Sequence, residues 1–157
     1  VPEGYVGTKT PASPVAPVPD IYRALASITN TKTGVQDKSK IVLQISFASA
    51  GFEVDANGLL AATTMYHPSP DTIVRRLGQR DTVVTYDTSA RNPAATYTTE
   101  DGMKILLWYE DARSVADKIT LARMMGITGV SVWRLGNVPT YSGLPNYDAW
   151  SAILAQR

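Results

Sequence analysis

The chain reads as an α/β protein, and three observations carry that reading. From Lys104 to Gly136, an apolar aromatic run (Ile105 to Tyr109), a helix-start cluster (Glu110, Asp111, Ser114), an amphipathic stretch and a second apolar run ending at Trp133 succeed one another as strand, helix and strand. Ile41 to Phe47 is a β-rich run with little alternation, the pattern of a strand covered on both faces in a parallel, helix-covered sheet. Between Gly51 and Asp101 the texture changes. The turn dipeptides Asn57-Gly58 and Asp101-Gly102 stand among short Thr/Val/Tyr-rich runs at Thr82 to Tyr86 and Thr96 to Thr99, which predicts antiparallel strands in a small α+β insertion.

Each element has its own punctuation. Val1 to Pro19 is rich in Pro and Gly, and Pro11, Pro14, Pro17 and Pro19 forbid regular helix there. Asp20 is placed to cap a surface helix with Ile21, Leu25 and Ile28 on one face, ended by Thr29 to Gly34. Ser69-Pro70 forms an N-cap and first-position pair for a short helix through Ile73, Val74 and Leu77 that stops at Gly78. In the helix after Glu110, Val115, Ile119 and Ala122 form an apolar face, which leaves Arg113, Asp117, Lys118 and Arg123 for water. Gly126 ends that helix, and Arg134 to Gly136 leave the following strand in a polar turn. Asn146 is placed to cap a last helix with Trp150, Ile153 and Leu154 on one side.

Composition narrows the function classes. The 157 residues suffice for one domain, and 15 basic against 14 acidic residues leave a formal charge of +1 with no Lys/Arg cluster, so nucleic acid is not an expected partner. No run of about 18 apolar residues predicts a membrane-spanning helix. The N-terminus lacks the basic and apolar regions of a signal peptide. With Cys absent, disulfides, thiol nucleophiles and Cys-type zinc sites are excluded.

Few residues then point to chemistry. The single histidine, His67, has no His or Cys companion, so a metal would rest on carboxylates alone, and His67 reads as a loop residue. No Gly-x-Ser-x-Gly elbow and no phosphate-cradling glycine loop occurs. Glu110 and Asp111 are neighbours, and neighbours on a strand face opposite ways, so they do not make an acid/base pair; Asp111 reads as a helix cap and Glu110 stays open. Trp133 ends a short strand, where α/β folds present their binding loops. Most tryptophans pack in cores, but a flat indole is also a platform for the apolar face of a sugar ring.

Two segments, WYEDARSVADK (Trp108 to Lys118) and GITGVSVWRLG (Gly126 to Gly136), resemble the end of a glycoside hydrolase family 18 catalytic domain, in the bacterial subgroup of spore-germination and cell-wall hydrolases. Ser13-Pro14-Val15-Ala16-Pro17 is similar to the family's Gly-Pro-x-Ala-Pro loop after the sixth barrel strand, and Lys40 to Phe47 occupies the place of the seventh. The resemblance implies a C-terminal fragment of a (β/α)8 TIM barrel. Residues 1–50 and 110–157 would be barrel elements and residues 51–109 an α+β insertion between the seventh strand and its helix. A full barrel takes about 250 residues. The family's catalytic Asp-x-x-Asp-x-Asp-x-Glu signature and its Met-x-Tyr-Asp segment do not occur in this chain. In the seventh strand, Leu43-Gln44-Ile45-Ser46-Phe47 departs from the family's Leu-Gly-x-Pro pattern.

The function implied is part of a hydrolase of N-acetylglucosamine-containing glycans, chitin or peptidoglycan, with no catalytic residue in this chain and no metal or cofactor. Trp133 would floor the sugar subsite next to the cleaved bond, with Tyr109, Glu110 and Arg134 at the cleft rim. The glycan is one expected partner; the other is the N-terminal half of the barrel, or a second copy, to cover exposed strand edges. By the same resemblance the protein is expected to be secreted or wall-associated. Two alternatives stand beside this: a non-catalytic carbohydrate-binding or interaction module, and an ordinary α/β crossover. The crossover requires Ile105 to Tyr109 to lie parallel to Val130 to Trp133, whereas the hydrolase reading puts Ile105 to Tyr109 in the antiparallel sheet.

Overall fold

The computed structural model describes residues 12–140 and 143–155; residues 1–11 of the Pro-rich segment lie outside that range. Two sheets organise the chain. Strands β1 (Val42–Ser46) and β7 (Gly129–Trp133) pair in parallel as a two-stranded sheet, with Leu43 opposite Val130, Ile45 opposite Val132 and Ser46 opposite Trp133. Strands β2 (Ala50–Val54), β3 (Leu60–Tyr66), β4 (Val83–Asp87), β5 (Asn92–Thr98) and β6 (Lys104–Trp108) form a five-stranded antiparallel sheet in the order β3-β2-β6-β5-β4. β6 pairs with β2 and β5 and not with β7, which removes the simple crossover. The result is a mixed α/β fold with no closed barrel among the described residues.

The parallel pair is covered on one face. Leu43, Ile45, Val130 and Val132 pack with Leu25 of helix α1 (Val18–Ile28), with Val115, Ile119 and Ala122 of α3 (Ala112–Met124) and with Ala149 of α4 (Ala149–Ala155). Val42 on the other face is 55% exposed. The expectation of a strand covered on both faces is therefore corrected: burial alternates along β1, because among the described residues only β7 and the helices of one side lie against it.

The central strands β2, β5 and β6 of the antiparallel sheet are buried on both faces, while the outer strands β3 and β4 are largely exposed. One face carries Ala50, Phe52, Val54, Ala94 and Trp108, which cluster with Ala12. The other carries Ala95, Tyr97, Ile105 and Leu107 under Ile73 of α2 (Pro70–Leu77), and Tyr109 and Tyr147 complete that layer. Both turn dipeptides lie where hairpins need them. Gly58 (φ 77°) connects β2 to β3 and Gly102 (φ 80°) connects β5 to β6, in the left-handed region where a Cβ is costly.

Helix ends follow local chemistry, with two corrections. Ser69 accepts a hydrogen bond from the Thr72 amide and Pro70 opens α2, as its sequence predicts. At the end of α3, Gly126 (φ 82°) donates to the Arg123 carbonyl and Ile127 to the Ala122 carbonyl, a Schellman closure sealed by buried Ile127. Asp20, however, lies inside the first turn of α1, because Pro17 is the N-cap and pre-sets the entry. Asn146 has φ 60° and precedes the last helix; the carboxylate that meets its first turn is Asp148, which accepts from the Ser151 amide and hydroxyl. Trp150 and Leu154 are exposed there, and Ala149 and Ile153 face the core.

Candidate glycan-binding face and its buried frame

The uncovered side of the parallel pair is built by its register. Side chains alternate along a strand, so Val42, Gln44 and Ser46 of β1 share one face with Gly129, Ser131 and Trp133 of β7. Trp133 stands at the C-terminal end of that face, 60% exposed. Its carbonyl accepts a hydrogen bond of 2.7 Å from the Phe47 amide, which extends the ladder past β1 and fixes the strand end. The chain leaves through a cis Trp133–Arg134 peptide into the short 3-10 turn Leu135–Asn137. Arg134 and Leu135 are exposed beside the indole, and Arg134 makes no ion pair among the described residues. An aromatic plate bordered by hydroxyl, amide and guanidinium groups suits a ligand with apolar faces and polar edges.

Tyr109 and Glu110 are not on this face. Tyr109 is buried edge-on against Tyr147, their ring centroids 5.9 Å apart, and burial pushes both phenols well above the ordinary range. Glu110 is 5% exposed, and its carboxylate is fully engaged: one oxygen accepts from Lys118 Nζ and from Asn92 Nδ2 (2.9 Å), the other from Ser114 Oγ (2.7 Å). A carboxylate held this way frames the structure and is not free to meet a substrate.

Lys118, expected in water, is 1% exposed. This correction follows from its position between Val115 and Ile119, inside the apolar stripe of α3, where Glu110 balances its charge. Asp111 is the N-cap as expected, in a reciprocal box with Ser114: each side chain accepts from the other's backbone amide. Burial pushes the Asp111 carboxyl up from the ordinary carboxylate range, opposed by its bonds from Ser114.

His67 is exposed, and its Nδ1 lies 2.8 Å from the Ser49 carbonyl, fastening the loop after β3 to the start of β2. Among the described residues, no group of three His, Asp or Glu could hold a metal ion. Sequence reasoning missed Asn92 and Lys118. A lysine within an apolar helical stripe was the available signal for the second; the first had none, being a strand residue that meets Glu110 only through tertiary pairing.

No protein-family model matches the chain. The cortical fragment-lytic enzyme of Bacillus subtilis (strain 168) is 28% identical over 135 residues, 85% of this chain and 29% of that protein. The spore cortex-lytic enzyme SleL of Bacillus cereus superposes with a TM-score of 0.72 at 21% identity, covering 97% of this chain and 32% of that one. A glycoside hydrolase family 18 N-acetylglucosaminidase from Paenibacillus barengoltzii gives 0.59 at 18% identity, covering 79% and 35%. The chain thus spans about a third of the length of the relatives it matches. Sequence and fold agree: the chain resembles the C-terminal part of a glycoside hydrolase family 18 catalytic domain of the spore-germination, cell-wall hydrolase kind.

Proposed function

We propose that this chain supplies the last two strands and helices of a (β/α)8 barrel, in residues 1–50 and 110–157, together with the α+β insertion of residues 51–109, to a hydrolase of N-acetylglucosamine-containing glycans. The observation that carries the proposal is Trp133, exposed at the C-terminal end of a parallel strand pair whose own face is bare. In this type of barrel the ligand side is the C-terminal end of the strands. The bare face, with Val42, Gln44 and Ser131, is then barrel interior, and the outer edges of β1 and β7, unpaired among the described residues, await an N-terminal barrel half or a second copy.

Trp133 stacks beneath the reacting sugar and Arg134 borders it; Tyr109 and Glu110 hold the frame from below. The resemblance implies substrate-assisted hydrolysis, in which a carboxylic acid protonates the leaving oxygen while the substrate's acetamido oxygen attacks the anomeric carbon. The acidic signature for that step is not in this chain, so the chain alone binds without cutting. The missing signature also favours a second reading, a carbohydrate-binding module without catalysis. Glycans of this kind place the protein outside the cell or at the wall; no helix of the described residues is long and apolar enough to cross a membrane.

The test is retention on insoluble chitin and on peptidoglycan. The chain is expected to be retained, and W133A to bind about tenfold more weakly, the order of a lost aromatic stacking contact. No reducing ends should appear. Equal retention of W133A would remove the indole from the site. Adding an N-terminal barrel half that carries the acidic signature separates the two readings: hydrolysis supports the enzyme, and unchanged binding without hydrolysis supports the module.

A further inference from the structure

The chain holds five asparagines, and only Asn57 is followed by glycine. An asparagine side chain can close a cyclic imide on the amide nitrogen of the next residue, so what stands at that next position decides access. Asn92 precedes Pro93, which has no N–H to give up. Asn30 and Asn137 precede the β-branched Thr31 and Val138, and Asn146 precedes Tyr147, which is 2% exposed. At Gly58 a Cβ would meet nothing within 4 Å, so the space beside its nitrogen is open.

Asn57 is exposed in the connection between β2 and β3, and its side chain makes no hydrogen bond among the described residues. The side chains of Asn30 and Asn92 are each held by two. One bond restrains the attacking atom: the Gly58 N–H donates to the Asp55 carbonyl at 3.1 Å. That bond lies at the end of a hairpin whose outer strand, β3, is paired on one side only among the described residues, with its register interrupted between Phe52 and Val54. Local opening costs least in such a place.

We infer that Asn57 is a site of spontaneous deamidation, with water as the only co-reactant. The Gly58 nitrogen attacks the Asn57 side-chain carbonyl carbon; an N–C bond forms, the nitrogen gives up its proton, and the side-chain nitrogen leaves as ammonia. Water then opens the ring at one carbonyl or the other. One opening yields aspartate; the other yields isoaspartate, with the main chain rerouted through the side-chain methylene. Either product places a new carboxylate two residues from Asp55, whose Oδ1 accepts from the Asn57 amide (2.8 Å) and the Leu59 amide (2.9 Å). Isoaspartate also lengthens a turn whose length sets the strand register, so β3 loosens from β2. The inference is independent of the glycan reading.

Ageing of the folded chain in mildly alkaline buffer, followed by isoelectric focusing and peptide mapping, tests it. The formal charge is expected to fall by one, from +1 to zero, with the change confined to the peptide that holds Asn57 and Gly58 and part of it detected as isoaspartate by enzymatic methyl transfer. N57S, which has no amide to lose, keeps its charge. G58A slows the conversion, and since alanine at φ 77° strains the turn, N57S serves as the variant that leaves the hairpin intact. Hydrogen exchange in the aged chain rises along β3 and stays as it was in β5 and β6; unchanged exchange along β3 would overturn the loosening. A folded chain that holds its charge overturns the inference, because the turn then protects the amide. So does an acidic form that appears equally in N57S.

Discussion

The two sheets differ in what they complete. The antiparallel sheet has apolar clusters on both of its faces. The parallel pair has a helical core on one side and, on the other, among the described residues, only the row that ends in Trp133. The region that carries the candidate ligand contact is thus covered on one side, while the region without one is packed on both faces at its central strands β2, β5 and β6. Such a division suits a molecule in which one part sets orientation and the other meets something from outside.

The largest effect that can break this comparison lies where the two regions meet. Lys118→Met leaves the Glu110 carboxylate buried without its cation, and loss of about 3–5 kcal/mol is expected in chemical denaturation. A small loss would mean that water reaches the joint and that the regions are less firmly tied. Next in size is a contrast between sheets. Leu107→Ala in β6 should cost about 2–5 kcal/mol, whereas Val42→Thr in β1 should stay within about 0.5 kcal/mol, since one side chain is enclosed and the other exposed. A large cost for Val42→Thr would show that its face is covered in solution, by a second copy or another segment.

The smallest effect concerns the cap. Asp111→Ala should cost about 1 kcal/mol, while Asp111→Asn keeps a capping oxygen. The sign with pH follows from the raised carboxyl. The folded state holds its proton to a higher pH than the unfolded chain, whose value is near 3.8, so ionisation lowers stability as pH rises through that window. Relative to the Asn variant, the natural chain should therefore lose stability as pH rises from about 3.8 through the folded value and level off above it; thermal melts across that range check the sign.

Signals within a few residues of one another were legible in the sequence. The Asp111 and Ser114 pair, Ser69-Pro70 and Gly126 each solve a local backbone problem, and the structure places them as that problem requires. Asp20 and Asn146 were misleading because capping residues are common near helix starts and the neighbouring Pro17 and Asp148 decide the geometry. Which faces of β1 are covered could not be read from its own residues, since coverage depends on what lies against it. Trp133 at its strand end was legible; the burial of Glu110 was not, because its partner Asn92 lies 18 residues earlier and is brought near only by the sheet.

Tyr109, Glu110 and Asp111 are consecutive, and each answers to a different part of the molecule. Tyr109 belongs to the core of the antiparallel sheet, Glu110 joins Asn92 of β5 to Lys118 of α3, and Asp111 starts α3. The antiparallel sheet is therefore not a cassette that can be cut out at its ends. Removing it would leave the buried Glu110 carboxylate without its Asn92 donor, beside the start of α3. Any sequence grafted in its place must bring its own donor for Glu110, and this requirement limits how such a chain can be recombined while its loops remain free to vary.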